Sequence, residues 1–155
     1  MKVICQYCKK EADKVTGAFL YPHTESVAHK MFYVCEPCDA RVGCHPKSDT
    51  PLGSLANYSL RKRRNYAHNY LDRLWKEGYM ERSECYLWLA FAIGIPIKFA
   101  HIAMFNEEQC LEVVDLSKAK LLEYIDESDV RFKRKQEKTD IQEGKPSVSL
   151  FRGEE

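Results

Sequence analysis

Nothing in the sequence is built to enter a membrane. The longest apolar run, residues 86–97, is interrupted by Gly94 and Pro96 and falls short of the roughly twenty residues a bilayer requires. No secretory signal opens the chain, because Cys5 follows four residues after the start, with charged residues soon after it. An intracellular protein is therefore expected. Net charge is also nearly absent: 24 Lys and Arg stand against 23 Asp and Glu, a formal +1. That balance argues against a globally basic protein wrapped around nucleic acid and moves attention to local windows. Catalytic signatures are missing too. There is no Gly-rich phosphate loop, no cluster of carboxylates for a two-metal site, and no nucleophile with an evident base.

What is present is cysteine in a pattern. Cys5-Gln6-Tyr7-Cys8 is answered by Cys35-Glu36-Pro37-Cys38. In a reducing compartment, seven cysteines with four in two close pairs are better explained by metal than by disulfides. Each pair offers two thiolates from a tight turn, and Cys5, Cys8, Cys35 and Cys38 together close the tetrahedron of one structural zinc ion. A closed site leaves no position for a catalytic water. His23 and His29, lying between the two pairs, are not needed as ligands.

Around these cysteines the sequence predicts a small antiparallel sheet. Lys2-Val3-Ile4 reads as a short strand, residues 14–21 as a second that passes Gly17 and ends at Pro22, residues 31–34 as a third, and residues 40–43 as a short fourth. A sheet of this size buries little apolar surface, so the metal has to contribute folding free energy. Gly43-Cys44-His45-Pro46 follows directly. It reads first as a packed cysteine beside a surface histidine, with a second metal site or a catalytic couple as alternatives.

Beyond residues 48–53 the pattern turns helical. Thr50 and Asn57 both qualify as helix caps, and the helix should run to about Lys76 and stop near Gly78. Its apolar stripe is Leu60, Ala67, Leu71 and Leu74. A second line, Asn57, Arg61, Arg64, His68, Asp72 and Trp75, falls within roughly 60° of one direction. It reads as a recognition surface of arginine forks, a histidine and a stacking ring, or as an internally paired seam with Trp75 in the core. Four consecutive basic residues, 61–64, spread around roughly 300° of arc, so only Arg61 and Arg64 share a face. Residues 61–76 nevertheless carry six positive side chains against Asp72 alone. Further helices are expected from Ser83 to Gly94, from a capping box at Asn106-Glu107-Glu108-Gln109, and from about 117 to 126. Cys85 and Cys110 read as core thiols. From residue 127 charges of both signs alternate, suggesting a mobile tail or an appendage ordered by a partner, with Val148, Leu150 and Phe151 able to dock as a short strand or anchor near its end. The expected class is α+β: a zinc ribbon over 1–50, a helical module over 51–126 and a charged tail over 127–155.

Several spaced motifs carry a resemblance over roughly residues 5–114. They are the first cysteine pair, Thr16-Gly17 with Tyr21-Pro22-His23, Cys35-Glu36-Pro37-Cys38, Val42-Gly43-Cys44-His45-Pro46, Pro51-Leu52-Gly53-Ser54-Leu55-Ala56-Asn57, Leu60-Arg61, Ala67-His68, Leu74-Trp75, and His101-Ile102-Ala103-Met104-Phe105 with Gln109-Cys110. This set resembles a phage- and prophage-associated family of zinc-finger-containing proteins of uncharacterised function. Glycine is expected where Ala103 stands. The resemblance implies a phage-linked zinc protein in the cytoplasm of a bacterial host and transfers no reaction.

Two classes of function follow. The first is a binding protein, whose ribbon and basic helix engage nucleic acid through His45, Asn57, Arg61, Arg64, His68 and Trp75, or hold a host protein with the same surface. The second is an enzyme with His45, His68 and Asp72 as a polar site, for example in nucleic-acid hydrolysis. The missing catalytic signatures count against it.

Overall fold

The computed structural model describes residues 1–143, with side chains to residue 127. Three strands, β1 (Asp13–Thr16), β2 (Met31–Cys35) and β3 (Ala40–Gly43), form one antiparallel sheet in that order. Val15 faces Phe32 across the first ladder, and Tyr33 faces Val42 across the second. The two-residue period of a strand turns Tyr33, Cys35, Ala40 and Val42 inward, where all four are buried.

Two strand expectations need correction. Residues 2–4 supply only one bridge, Ile4 to Glu11, which closes the first cysteine turn. The strand expected over 14–21 ends at Thr16, and the chain coils into a single helical turn, α1 (Gly17–Leu20). The reasons are local and tertiary together. The Thr16 hydroxyl accepts the Phe19 N–H at 3.2 Å, while Gly17 lies so close to the segment below that an added Cβ would stand 1.7 Å from the Val27 carbonyl oxygen.

The helical part begins with α2 (Tyr58–Leu71), whose cap is Asn57: its side-chain oxygen accepts the Leu60 N–H at 3.0 Å. A break at Asp72 leads into one further turn, α3 (Arg73–Lys76), and Gly78 takes the positive φ (82°) that turns the chain away. Next comes α4 (Arg82–Ile93), beginning one residue before the expected Ser83. It ends at Gly94, also at φ 82°, with the Gly94 and Ile95 N–H groups both donating to the Ala90 carbonyl, the left-handed closure glycine favours. Short 3-10 turns at Ile97–Phe99 and Ile102–Met104 lead into α5 (Glu107–Glu143).

The expected capping box is formed. The Asn106 N–H donates to Gln109 Oε1 at 3.0 Å, and the Gln109 N–H donates to Asn106 Oδ1 at 2.8 Å. Beyond it, the two helices read from the sequence are one. Neither Gly nor Pro occurs between residues 107 and 143, and Cys110, Val113, Val114, Ser117 and Leu121 continue a single buried stripe across the supposed gap. The α5 backbone also continues past residue 126. Val148, Leu150 and Phe151 lie outside the described residues.

Among the described residues there are two cores. The smaller gathers Cys5, Ala12, Tyr33, Cys35, Ala40, Val42 and Leu55. The larger joins Leu60, Ala67, Leu71 and Leu74 to α4, α5, Ile102 and Phe105, and it includes Ala56. Adjacent residues, Leu55 and Ala56, thus plug into different cores. Among the described residues no helix is long and apolar enough to cross a membrane.

Candidate metal centre and its junction with the helices

Each Cys-x-x-Cys turn is shaped by its backbone. In the first, the Lys9 N–H donates to the Cys5 carbonyl at 2.9 Å, and the Cys5 N–H donates to the Lys10 carbonyl at 2.8 Å. In the second, the Asp39 N–H donates to the Glu36 carbonyl at 3.0 Å. The residue after each second cysteine, Lys9 (φ 64°) or Asp39 (φ 48°), is left-handed, which turns the chain back beneath the two sulfurs. The antiparallel sheet then brings the two turns face to face.

The result is a group of four Sγ atoms all within 4.8 Å of one another. Cys8 Sγ and Cys35 Sγ stand 3.6 Å apart, far beyond the roughly 2.05 Å of a disulfide. A tetrahedron with Zn–S bonds of about 2.3 Å has S···S edges of about 3.8 Å, so the donor set fits a zinc ion with small side-chain shifts. Cys5 and Cys35 are buried and Cys8 and Cys38 half-buried. His23 and His29 are exposed and stand outside this group. Such a four-thiolate site is structural: it cross-links two turns and leaves no open coordination position.

The comparisons agree with this geometry. A family model described as a zinc-finger-containing domain, DUF3268, matches residues 1–120. The chain belongs to that family. Neither the comparison with curated proteins nor that with solved structures returned a match. The zinc-finger-containing domain thus extends well beyond its cysteines, through the ribbon and the first part of α5.

What joins those parts is the outer surface of the two cysteine turns. Gln6, between the first two ligands, donates its side-chain N–H to the Leu55 carbonyl at 2.8 Å. Its neighbour Tyr7 accepts the Asn57 N–H on its hydroxyl at 3.1 Å. From the second turn, Asp39 binds Arg61 through its carboxylate (3.0 Å) and its carbonyl, while Arg61 also donates to the Ala56 carbonyl at 2.9 Å. Arg41 reaches the same carboxylate at 2.8 Å. Bonded by Arg41 and then Arg61, the Asp39 carboxyl is held below the usual carboxylate range. Ala56 adds a backbone bridge to Arg41 on β3. Both metal turns therefore grip residues 55–61.

The side chains expected to form a recognition surface are placed as follows. Arg64 is buried at 8 % exposure and donates to the Phe105 carbonyl (3.1 Å), the Ser54 carbonyl (2.8 Å) and the Ser54 hydroxyl (2.7 Å). It ties the linker before α2 to the turn before α5, and no fork is left for an outside ligand. Arg61 is bound to the second cysteine turn, and Asn57 caps α2. His68 Nδ1 lies 3.3 Å from Asp72 Oδ2, and Trp75 donates its indole N–H to Asp72 Oδ1 at 3.4 Å. These contacts pair the seam internally, while the His68 side chain stays 43 % exposed.

His45 is exposed in a turn over residues 44–51, closed by its N–H on the Thr50 carbonyl at 2.9 Å. Its neighbour Cys44 packs against the ribbon core, so the pair diverges as a packed cysteine beside a surface histidine. Burial raises the Cys44 thiol pKa, pushes Cys85 up to about 11 and raises Cys110. All three remain protonated at neutral pH.

Sequence reading puts Lys62 on a polar face of α2 but misses the tyrosines beside it. Tyr58, Lys62, Arg63 and Tyr66 are exposed there, and Lys118 of α5 extends the group, its ammonium 5.8 Å from the Tyr66 ring. The signal was available: Tyr58, Lys62 and Tyr66 repeat every four residues, and no acid occurs between residues 57 and 71.

Proposed function

We propose that this zinc-finger-containing protein binds nucleic acid through the outer face of α2, with the zinc ribbon acting as the mount that fixes the helix. The phage-linked setting implied by the sequence resemblance fits such an accessory role. One observation carries the reading: exposed tyrosines and exposed cations alternate on a helix face without acids. Tyr58 is 61 % and Tyr66 40 % exposed. Lys62 lies over the Tyr58 ring at 5.3 Å, and Lys118 borders Tyr66 from α5. Cations next to aromatic faces offer a phosphate contact beside a stacking surface, the combination that holds unpaired bases. Spacing supports a single strand. Eight residues of helix separate Tyr58 from Tyr66, about 12 Å along the axis, enough to bracket roughly three nucleotides at stacked spacing.

The test is a titration of labelled single-stranded and duplex DNA and RNA at low and moderate salt. Binding should favour single strands and weaken as salt rises. Replacing Lys62 and Arg63 together by Ala should flatten the salt slope by about 1.5. Tyr66→Ala should lower affinity roughly tenfold, in line with about 1–3 kcal/mol per stacked base. No binding to any of these at low salt would remove the proposal. Equal affinity for duplex and single strand, untouched by Tyr66→Ala, would remove the stacking part alone.

A further inference from the structure

The helix α4 is apolar on both sides. Cys85 and Leu89 are fully buried against the main core, and Ala90 nearly so. On the far side Leu87 is 58 % and Phe91 89 % exposed. The 3-10 turn after Gly94 adds Ile97 at 52 % and Phe99 at 50 %. A helix that is hydrophobic all round is normally covered all round. These four side chains present on the order of 500 Å² of apolar surface, at 150–250 Å² for a whole aromatic side chain. That is as much as the largest patch a monomer ordinarily shows.

We propose that this face is covered by the same face of a second copy of this chain, with the two α4 helices antiparallel about a twofold axis. Leu87 and Phe91 lie one turn apart, so a twofold axis passing between them sets Leu87 of each copy against Phe91 of the other. The charges at the two ends agree with this direction. Glu81 and Glu84 are exposed at the start of α4, where Arg82 is drawn aside over the Trp75 and Tyr86 rings at 5.5 and 4.9 Å. Beyond the other end stands exposed Lys98, its ammonium 4.9 Å from the ring of Phe99 within the patch itself. An antiparallel pair brings the acids of each copy toward the lysine of the other; a parallel pair sets like charges together. The area is also sufficient. Two such patches remove roughly 1,000 Å² of apolar surface, and a polar rim brings the total into the range of a stable interface, about 1,200–2,000 Å². An isologous contact of this kind needs one patch that complements itself, which α4 supplies.

The experiment is sedimentation equilibrium of the full, zinc-loaded chain over a wide concentration range. A dimer is expected. Phe91→Asp should weaken it at least about tenfold, and Leu87→Glu should act the same way, each with an unchanged far-UV spectrum because both side chains face outward. Glu84→Lys alone should weaken association, and adding Lys98→Glu should restore it. A wild-type chain that stays monomeric throughout would overturn the proposal, as it would if the patch were covered by another protein or by residues 144–155. A dimer indifferent to both apolar substitutions would overturn it equally. Failure of the double swap to restore a weakened dimer would overturn the antiparallel arrangement.

Discussion

Arg64 shows how far the role of one residue depends on what lies around it. On a helical wheel it is one cation in a run of four, offered to any phosphate that approaches. In the fold its guanidinium is buried and directed at three oxygens, two from Ser54 and one from Phe105. Removing the fork leaves the buried Phe105 carbonyl and the half-buried Ser54 oxygens without their donor, and a buried group left unpaired costs about 1–3 kcal/mol. Arg64→Ala should therefore destabilise the protein by about 3 kcal/mol in a denaturant titration. Arg64→Lys should recover little of this, because one ammonium cannot span the positions of a planar fork. Lys62→Ala, about 200° round the helix from Arg64 and exposed, should leave stability within about 0.5 kcal/mol. That contrast separates the cations of α2 that build the fold from those available to a ligand. Nothing in the spacing of residues 61–64 distinguished them; only the position of the apolar stripe, with Leu60, Ala67 and Leu71 on the side where Arg64 also lies, gave a hint.

Between elements, the decisive contact is the approach of the linker before α2 to the 3-10 turn at Ile102–Met104. A Cβ on Gly53 would stand 1.8 Å from the Ala103 carbonyl oxygen, with backbone on that side and nothing flexible to yield. Glycine is expected at position 103, yet the backbone comes close there with Ala103 in place, and the glycine that permits the approach is Gly53. Gly53→Ala should cost about 3 kcal/mol, at the upper end of what overpacking does. Gly43→Ala is the matched control, since its Cβ would meet the Phe32 ring and Leu52 at 3.6 and 3.7 Å, ordinary contact; its melting temperature should change little. The same distinction explains what could be read from the sequence. The Asn106–Gln109 box, the Gly94 stop and each Cys-x-x-Cys turn are local patterns whose hydrogen bonds or ligands lie within a few residues, and each was legible. The helical turn at Gly17–Leu20 depends on Val27, ten residues away. The inward pairing of Arg61 depends on Asp39, and the merging of two helices into α5 on a stripe that Ser117 continues although its composition reads as polar. The contacts of Gly17 with Val27 and of Arg61 with Asp39 have no short-range signature.

At the scale of the whole molecule, the two cores assign different work to the metal. The ribbon core is small and includes two of the ligands, Cys5 and Cys35, among its buried residues. The helical core is larger and contains no ligand. Removing zinc leaves four thiols crowded together with no cation between them, and the ribbon has little else to hold it. The helical core keeps its contacts among α2, α4 and α5. Chelation should therefore unfold the protein in part: loss of the strand contribution and exposure of Tyr33, with most of the helical signal at 222 nm retained. The junction sets how well the two halves feel one another. Because Asp39 follows directly on the ligand Cys38 and holds Arg61 of α2, Arg61→Ala should speed zinc loss to a chromogenic chelator by about tenfold, as removal of groups that support metal ligands commonly does. The effect should run both ways, with zinc raising the melting temperature of the wild-type helices and raising that of the Arg61→Ala helices less. If the helices melt in the same cooperative step as the ribbon on chelation, the division into two cores is wrong in energetic terms, and Leu55 and Ala56 bind them into a single folding unit.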